Sequence, residues 1–544
     1  MTGDNRRHLS YTNTFTLNYR FSPMDSWCGK LLTSILLLPF IAGNYRRRQN
    51  GSGYYDCIIS SRVLFLVVLS IVIVFTASKK IPSHSEIRLG FVLILLSLLM
   101  IFAVIGFCVQ GYLVHKHGLQ YIVAARRNAS TPKLQVVFLW LFGLASAFYC
   151  AFFVSKQIEC SKNTAGGYLW NILFYFNIIL LLCLFSQMFV ITYFSPYELK
   201  QTHLVNYSMS LLLVANVCMF VYVTLVGETI LFVIDRNPDS DIANCLENNS
   251  TISVLLEKSN PILKPNFTEF CLLSCTILLE IWSPMKEVQL LDEETSYLEI
   301  GGIEHTERLP LLSNFTASEH RRSGNEGKRT ACQLITLVFS ITAGLGLIVC
   351  YVVMAMDIGN IDYMRNVAEI YELALKVIIV LAVFIGFFCL VSYCTPDTSP
   401  EDLKPSEYVY LLSAFGLFMM HICEGIGGDM SFNNAFMATS ILSIVQNYLQ
   451  VVFLLHANRC KKSDPRLKIH LLESILIFIM ICNFIFWFNN SFLLSEFSIT
   501  RMLEHDNFPT ELSSVVYNVL LPVSVFFRFT SFLEYYATFE KYNK

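Results

Sequence analysis

Residues 205–234 read VNYSMSLLLVANVCMFVYVTLVGETILFVI. A helix rises ~1.5 Å per residue, so about 20 such residues cross a ~30 Å hydrocarbon core, and this stretch is long enough to span a membrane. It nevertheless holds Asn216 and Glu228. A carboxyl near mid-span costs ~2.5–3.5 kcal/mol on insertion scales, so Glu228 is expected to be used or paired. The two side chains are twelve positions apart, which is roughly 18 Å along the axis and ~120° around it. A proton path between them needs water or hydroxyls such as Tyr222 and Thr224.

The rest of the chain has the same character. Of 544 residues, 54% are hydrophobic and 15% charged, well under the ~25% charged typical of soluble domains. Lys plus Arg is 39 and Asp plus Glu is 41, so no basic field argues for nucleic acid. No secretory signal peptide is evident, because the apolar run 31–43 is short, follows a polar lead and precedes Arg46-Arg47-Arg48; it reads as a membrane-surface or re-entrant piece. Most of the 17 cysteines lie in apolar runs, as small packing residues do. Cys160 and Cys245 fall in outer loops, where a disulfide between them is open.

Apolar runs place spans at 60–78, 89–113, 134–154, 168–194, 205–234, 267–283, 332–356, 366–393, 406–427, 434–458, 470–491 and 512–538. The expected fold is therefore an all-α polytopic membrane protein with twelve transmembrane helices in two halves of six. A cytoplasmic N-terminal segment would cover 1–57, the first half 58–283, a cytoplasmic linker 284–330 and the second half 331–544. Basic loops at 115–133 and 459–468 agree with both termini being cytoplasmic. Sequons at Asn248, Asn249 and Asn266 then lie outside, whereas those at Asn128 and Asn314 are chance matches on the inner side. An even number of spans per half makes any repeat parallel. No residue-level identity between the halves is evident, so the repeat rests on span count.

Polar residues inside spans must face protein or water. They are Gln187, Asn216, Glu228, Glu269 and Glu280 in the first half. In the second they are Glu372, Lys376, His421, Glu424, Gln446, Asn447, Gln450, His456, Asn483, Tyr517, Asn518 and Arg528. Glu269 and Glu280 are expected at the membrane faces, and Glu372 with Lys376 as a local ion pair near one. Gln446 and Gln450 share a helical face, which suits interhelical hydrogen bonds. His421 and Glu424 read as a satisfied polar pair, since two ligands do not make a zinc site. No metalloprotease, nucleophile-elbow or P-loop motif appears, so catalysis is the weaker class and no metal or cofactor is expected.

Several segments, in order, resemble the otopetrin family of proton channels. They are SQMF at 186–189, VANVCMFVYVTLVGET at 214–229, and the prolines Pro261 and Pro265 followed by Glu269 and Trp282. LLSAFG at 411–416, SIVQNYLQVVFLLHANR at 443–459, ICNFIFWFNNSF at 481–492 and LPVSVFFRF at 521–529 continue the series. The resemblance implies two barrel-like six-helix halves, a homodimer in the plasma membrane, and proton-selective conduction. Gln187, Asn216 and Glu228 would line or gate the first half; Gln446, Gln450, Asn483, Asn518 and Arg528 would belong to the second half or the seam. Glu269, Tyr222, His421, Glu424 and His456 are secondary candidates. This chain departs from the family pattern at Asn518 and Thr530, where His is usual, at His456, where Asp is usual, and in a third span lacking a polar residue over 148–152.

The expected function is conduction of protons down their gradient, activated by external acid, with outer-loop His84 and His505 open as pH or zinc sensors. The alternative is a proton-coupled secondary transporter, which predicts broken helices around a central cavity.

Overall fold

The structure, a computed structural model, describes residues 40, 42–43, 45–47, 53–55, 57–77, 85–118, 123–126, 131–161, 168–200, 202–227, 251–282, 326–355, 361–396, 403–427, 434–462, 470–493 and 510–543. Its long helices are α1 (Ile58–Ala77), α2 (Ser85–His117), α3 (Thr131–Ser161), α4 (Tyr168–Phe194), α5 (His203–Val221) and α6 (Thr251–Ile281). The series continues with α7 (Glu326–Ala355), α8 (Ile361–Tyr393), α9 (Pro405–Gly427), α10 (Asn434–Arg459), α11 (His470–Phe492) and α12 (Thr510–Asn543). Among the described residues, 10 helices are long and apolar enough to cross a membrane. The chain is an all-helical polytopic membrane protein.

The helices are apolar on both sides, as a lipid solvent demands. Along α2, Leu89, Val92, Leu93 and Leu96 are buried while Phe91, Ile94, Leu98 and Phe102 are exposed. Nothing in a lipid environment drives the second set inward, so packing is decided by fit and by polar groups rather than by an amphipathic stripe. Gly143 of α3 is one such fit, since a Cβ there would collide with Met188 of α4 and crowd Phe270 of α6.

Neighbours among α1–α6 close on themselves: α1 meets α2 and α5, α2 meets α4, α4 meets α3, α3 meets α6 and α6 meets α5, with α2 and α5 also touching. The same pairings recur with every number raised by six, from α7 against α8 and α11 to α12 against α11. Three short antiparallel strand pairs complete the described secondary structure. β1 (Tyr45–Arg47) pairs with β2 (Gly53–Tyr55) ahead of α1. β3 (Val123–Arg126), after α2, pairs with β4 (Tyr197–Leu199), after α4. β5 (Cys394–Pro396), after α8, pairs with β6 (Cys460–Lys462), after α10. The two sets of helices meet where α6 packs on α9, α11 and α12, and α3 on α12, and one apolar core runs from Phe142 and Phe270 into Trp487, Phe526 and Phe529.

Several expectations change. Helix α6 starts at Thr251 rather than near 267 and contains Pro261 and Pro265. Each proline removes an N–H from the helix ladder, and nearby side chains bond backbone there: Asn266 Nδ2 donates to the Ile262 carbonyl at 2.7 Å, Thr268 Oγ1 to that of Pro265 at 2.7 Å. Asn266 is therefore a buried helix residue and not an outer-loop glycan acceptor. Helix α5 widens into a π turn over Tyr222–Val226. Cys160 is disulfide-bonded, and its expected partner Cys245 lies outside the described residues. Outside them too are most of 31–43, residues 284–325 of the expected linker 284–330, His84, Asn128, Asn248, Asn249, Asn314 and His505.

Candidate functional site

Helices α4 and α5 bring two buried amides together. Gln187 and Asn216 are 1% and 0% exposed, and Gln187 Nε2 donates to Asn216 Oδ1 at 2.6 Å. Asn216 Nδ2 donates back to the Leu212 carbonyl at 2.9 Å, which fixes which end of its amide faces Gln187. Gln187 Oε1 has no protein partner among the described residues. An unpaired buried acceptor costs ~1–3 kcal/mol, so such an atom is normally met by water.

Further neutral amides are buried elsewhere among α2–α5. Asn177 of α4 donates to Gln157 of α3 at 3.1 Å, and Gln110 of α2 donates to Ser208 of α5. Tyr222 lies in the π turn, buried against Phe176 at 4.6 Å between ring centroids. π turns are frequent at functional positions because they re-aim side chains. Glu228, one residue beyond the last described position of this helix, lies outside the described residues.

In the second set of helices, Gln446 Nε2 donates to Gln450 Oε1 at 2.5 Å within α10. The shared face is thus used for a bond along the helix, while the Gln450 carbonyl accepts from Tyr535 of α12 at 2.9 Å. Asn447 beside them has no protein partner on either amide atom among the described residues. Asn483 of α11 accepts from Arg528 Nη1 of α12 at 3.4 Å. The guanidinium lies 5.1 Å from the centre of the Phe486 ring and 5.8 Å from that of Phe527, and is buried.

Glu372 and Lys376 do form the expected i,i+4 pair, at 2.7 Å, but not as an isolated pair at a membrane face. Tyr351 of α7 donates to Glu372 at 2.8 Å, and Lys376, buried, donates to Ser443 of α10 at 2.7 Å. The pair thus joins three helices inside the bundle, and the Glu372 charge acts on Arg528 of α12.

The two sets match at residue level, which the sequence reading missed. Asn216 follows the first residue of its helix, His203, by thirteen positions, and Asn483 follows His470 by the same number. Both asparagines donate to the carbonyl one turn back, Leu212 at 2.9 Å and Ile479 at 2.8 Å. Gln187 precedes the first residue of β4 by ten positions, as Gln450 precedes that of β6. The signal was in the sequence as a spacing from helix starts rather than as a shared string.

Other candidates lie apart. His456 is exposed, with Nε2 3.6 Å from Cys460 Sγ, because its position on α10 turns it away from Gln446 and Gln450. His421 is half-buried near the end of α9, and the Glu424 side chain lies outside the described residues. Asn518 is half-buried early in α12, and Thr530 bonds its own helix through the Phe526 and Phe527 carbonyls. Glu269 is not at a membrane face: it is 2% exposed and accepts from Trp487 Nε1 at 3.3 Å. Glu280 accepts from Gln135 at 3.4 Å. No group of three or more metal-ligating side chains occurs among the described residues.

A family model described as Otopetrin matches residues 234–529, more than half of the chain. The chain belongs to the otopetrin family. The match covers Glu269, Gln446, Gln450, Asn483 and Arg528 and starts after Gln187, Asn216 and Glu228. Comparison with curated proteins gave no match. Otopetrins are a channel family rather than an enzyme family, and membership with the many apolar helices supports an ion-channel role in a membrane.

Proposed function

We propose that this otopetrin is a proton-selective channel of two six-helix halves, 58–283 and 331–544, joined by a cytoplasmic linker, and that protons pass through the first half. The Gln187–Asn216 pair carries the reading. It is fully buried, neutral and left with a free acceptor at Gln187 Oε1, so it orients water without holding a fixed charge. Gln110, Gln157 and Asn177, buried elsewhere in the same half, are neutral as well; Lys156, near the end of α3, reaches Ser253. A proton needs only a continuous hydrogen-bonded chain, while the Phe and Leu walls exclude hydrated ions. Glu228 supplies the titrating entry, and external acid opens the path.

The second half is the poorer conductor because of its charges. Lys376 is paired with Glu372 at 2.7 Å, but the buried Arg528 guanidinium stands 3.4 Å from Asn483, and a fixed cation beside that amide opposes a proton. The recurring helix neighbours support a parallel repeat, and the Cys160 disulfide supports an outer, oxidising side at the end of α3, with cytoplasmic termini. The family resemblance adds a homodimer in the plasma membrane.

The π turn in α5 and the prolines in α6 favour one second reading, a proton-coupled transporter. Reconstitution into vesicles with an internal pH dye tests both. Acidification that reverses at the proton equilibrium potential without added solute supports the channel. A requirement for solute supports the transporter, and no proton movement ends both.

A further inference from the structure

We infer that Glu269 is a positioning residue that locks the second half to the first through Trp487, and so sets where Asn483 and Arg528 stand. This deepens the channel reading and rests on it.

Trp487 is 3% exposed. Its ring is boxed by Phe138 and Phe142 of α3, Phe484 and Phe492 of its own helix, and Phe529 of α12, with centroids 5.4–6.2 Å away. Inside that box the indole has one polar atom, and it donates across the seam to Glu269 Oε1 on α6. Five phenylalanines already supply the apolar contact, and another apolar ring would fill the space without burying a carboxyl. What the polar pair adds is direction: one donor and one acceptor, 218 positions apart in sequence, fix the rotation and height of α11 against α6.

Trp487 is one turn beyond Asn483, on the same face of α11. A shift of Trp487 therefore moves Asn483 and the Arg528 contact with it. Among the described residues, the ion pairs that form do not involve Glu269. Among the described residues its Oε2 has no protein partner, which leaves the Trp487 bond as the polar contact given for the carboxyl.

The test is a double-mutant cycle on the full chain in dye-loaded vesicles, with melting temperature read in parallel. Glu269→Leu and Trp487→Phe should each lower the melting temperature by a similar amount, the scale of one buried hydrogen bond, while flux, carried by the first half, stays within about twofold. The double variant should be no worse than either single one. Glu269→Gln keeps an acceptor for the indole and should restore most of what Glu269→Leu loses. Additive losses of melting temperature, or a Gln variant as poor as the Leu variant, overturn the inference. Wild-type vesicles that pass no protons would refute the channel reading instead, and the melting-temperature cycle would still decide whether the lock exists.

Discussion

Replacing Asn216 and Asn483 one at a time by Leu separates the two halves, because the two residues are equivalently placed and differ in their partners. In Asn216→Leu, Gln187 Nε2 loses an acceptor at 2.6 Å while its Oε1 is already without a protein partner. An unmet buried group costs ~1–3 kcal/mol, and the same loss falls on any water that the pair orients, which converts to roughly ten- to hundredfold in flux. Asn483 stands beside a guanidinium, with Arg528 Nη1 3.4 Å away. A unit charge at ~4 Å repels a proton by about 4 kcal/mol at an effective dielectric of ~20, on the order of a thousandfold in occupancy. On the proposed route through the first half little current crosses there, so Asn483→Leu should leave flux within about twofold. The assay is initial dye acidification at matched protein per vesicle, with size-exclusion profiles to verify folding. Asn483→Asp, which gives Arg528 a counter-ion, covers the case in which the Leu variant fails to fold, and it should not lower flux. Loss of flux on changing Asn483 with none on changing Asn216 would refute the reasoning.

Glu228→Gln keeps shape and removes titration, so acid-evoked flux should fall at every external pH; an unchanged pH–flux curve would dismiss Glu228 as the entry group. Lys376→Met strands Glu372 among buried groups and should cost ~3–5 kcal/mol, whereas Lys376→Met with Glu372→Leu should recover much of it, read by thermal unfolding in detergent. Cys160→Ser should lower stability by ~2–5 kcal/mol, and peptide mapping of the wild type without reductant should recover Cys160 in a linked pair. Glycan mapping should find Asn266 unmodified, because it is buried in α6 with its amide bonded to Ile262.

The long apolar runs made most helices legible, since length in lipid is a one-dimensional property. Helix α6 was not, because its first half mixes Lys258, Pro261, Lys264 and Pro265 into what reads as a loop; the side-chain bonds of Asn266 and Thr268 beside those prolines become visible only in three dimensions. Gln187 and Asn216 could be found as amides stranded among apolar residues, and Asn177 carried the same signal unread. The extension of the Glu372–Lys376 pair to Tyr351 and Ser443 could not be found, since a serine or tyrosine in a span is common and uninformative. Nor does any local pattern link Glu269 to Trp487, which meet through the packing of α3, α6, α11 and α12.

The strand pairs β3–β4 and β5–β6 have a mechanical corollary. Each ties the ends of two helices, α2 to α4 and α8 to α10, by backbone bonds that do not depend on side-chain identity. Helices fastened at one tip spread like the arms of tweezers, so the widest excursion during opening falls at the opposite end, and Gln187 and Gln450, each ten positions above its pivot, ride partway along the arm.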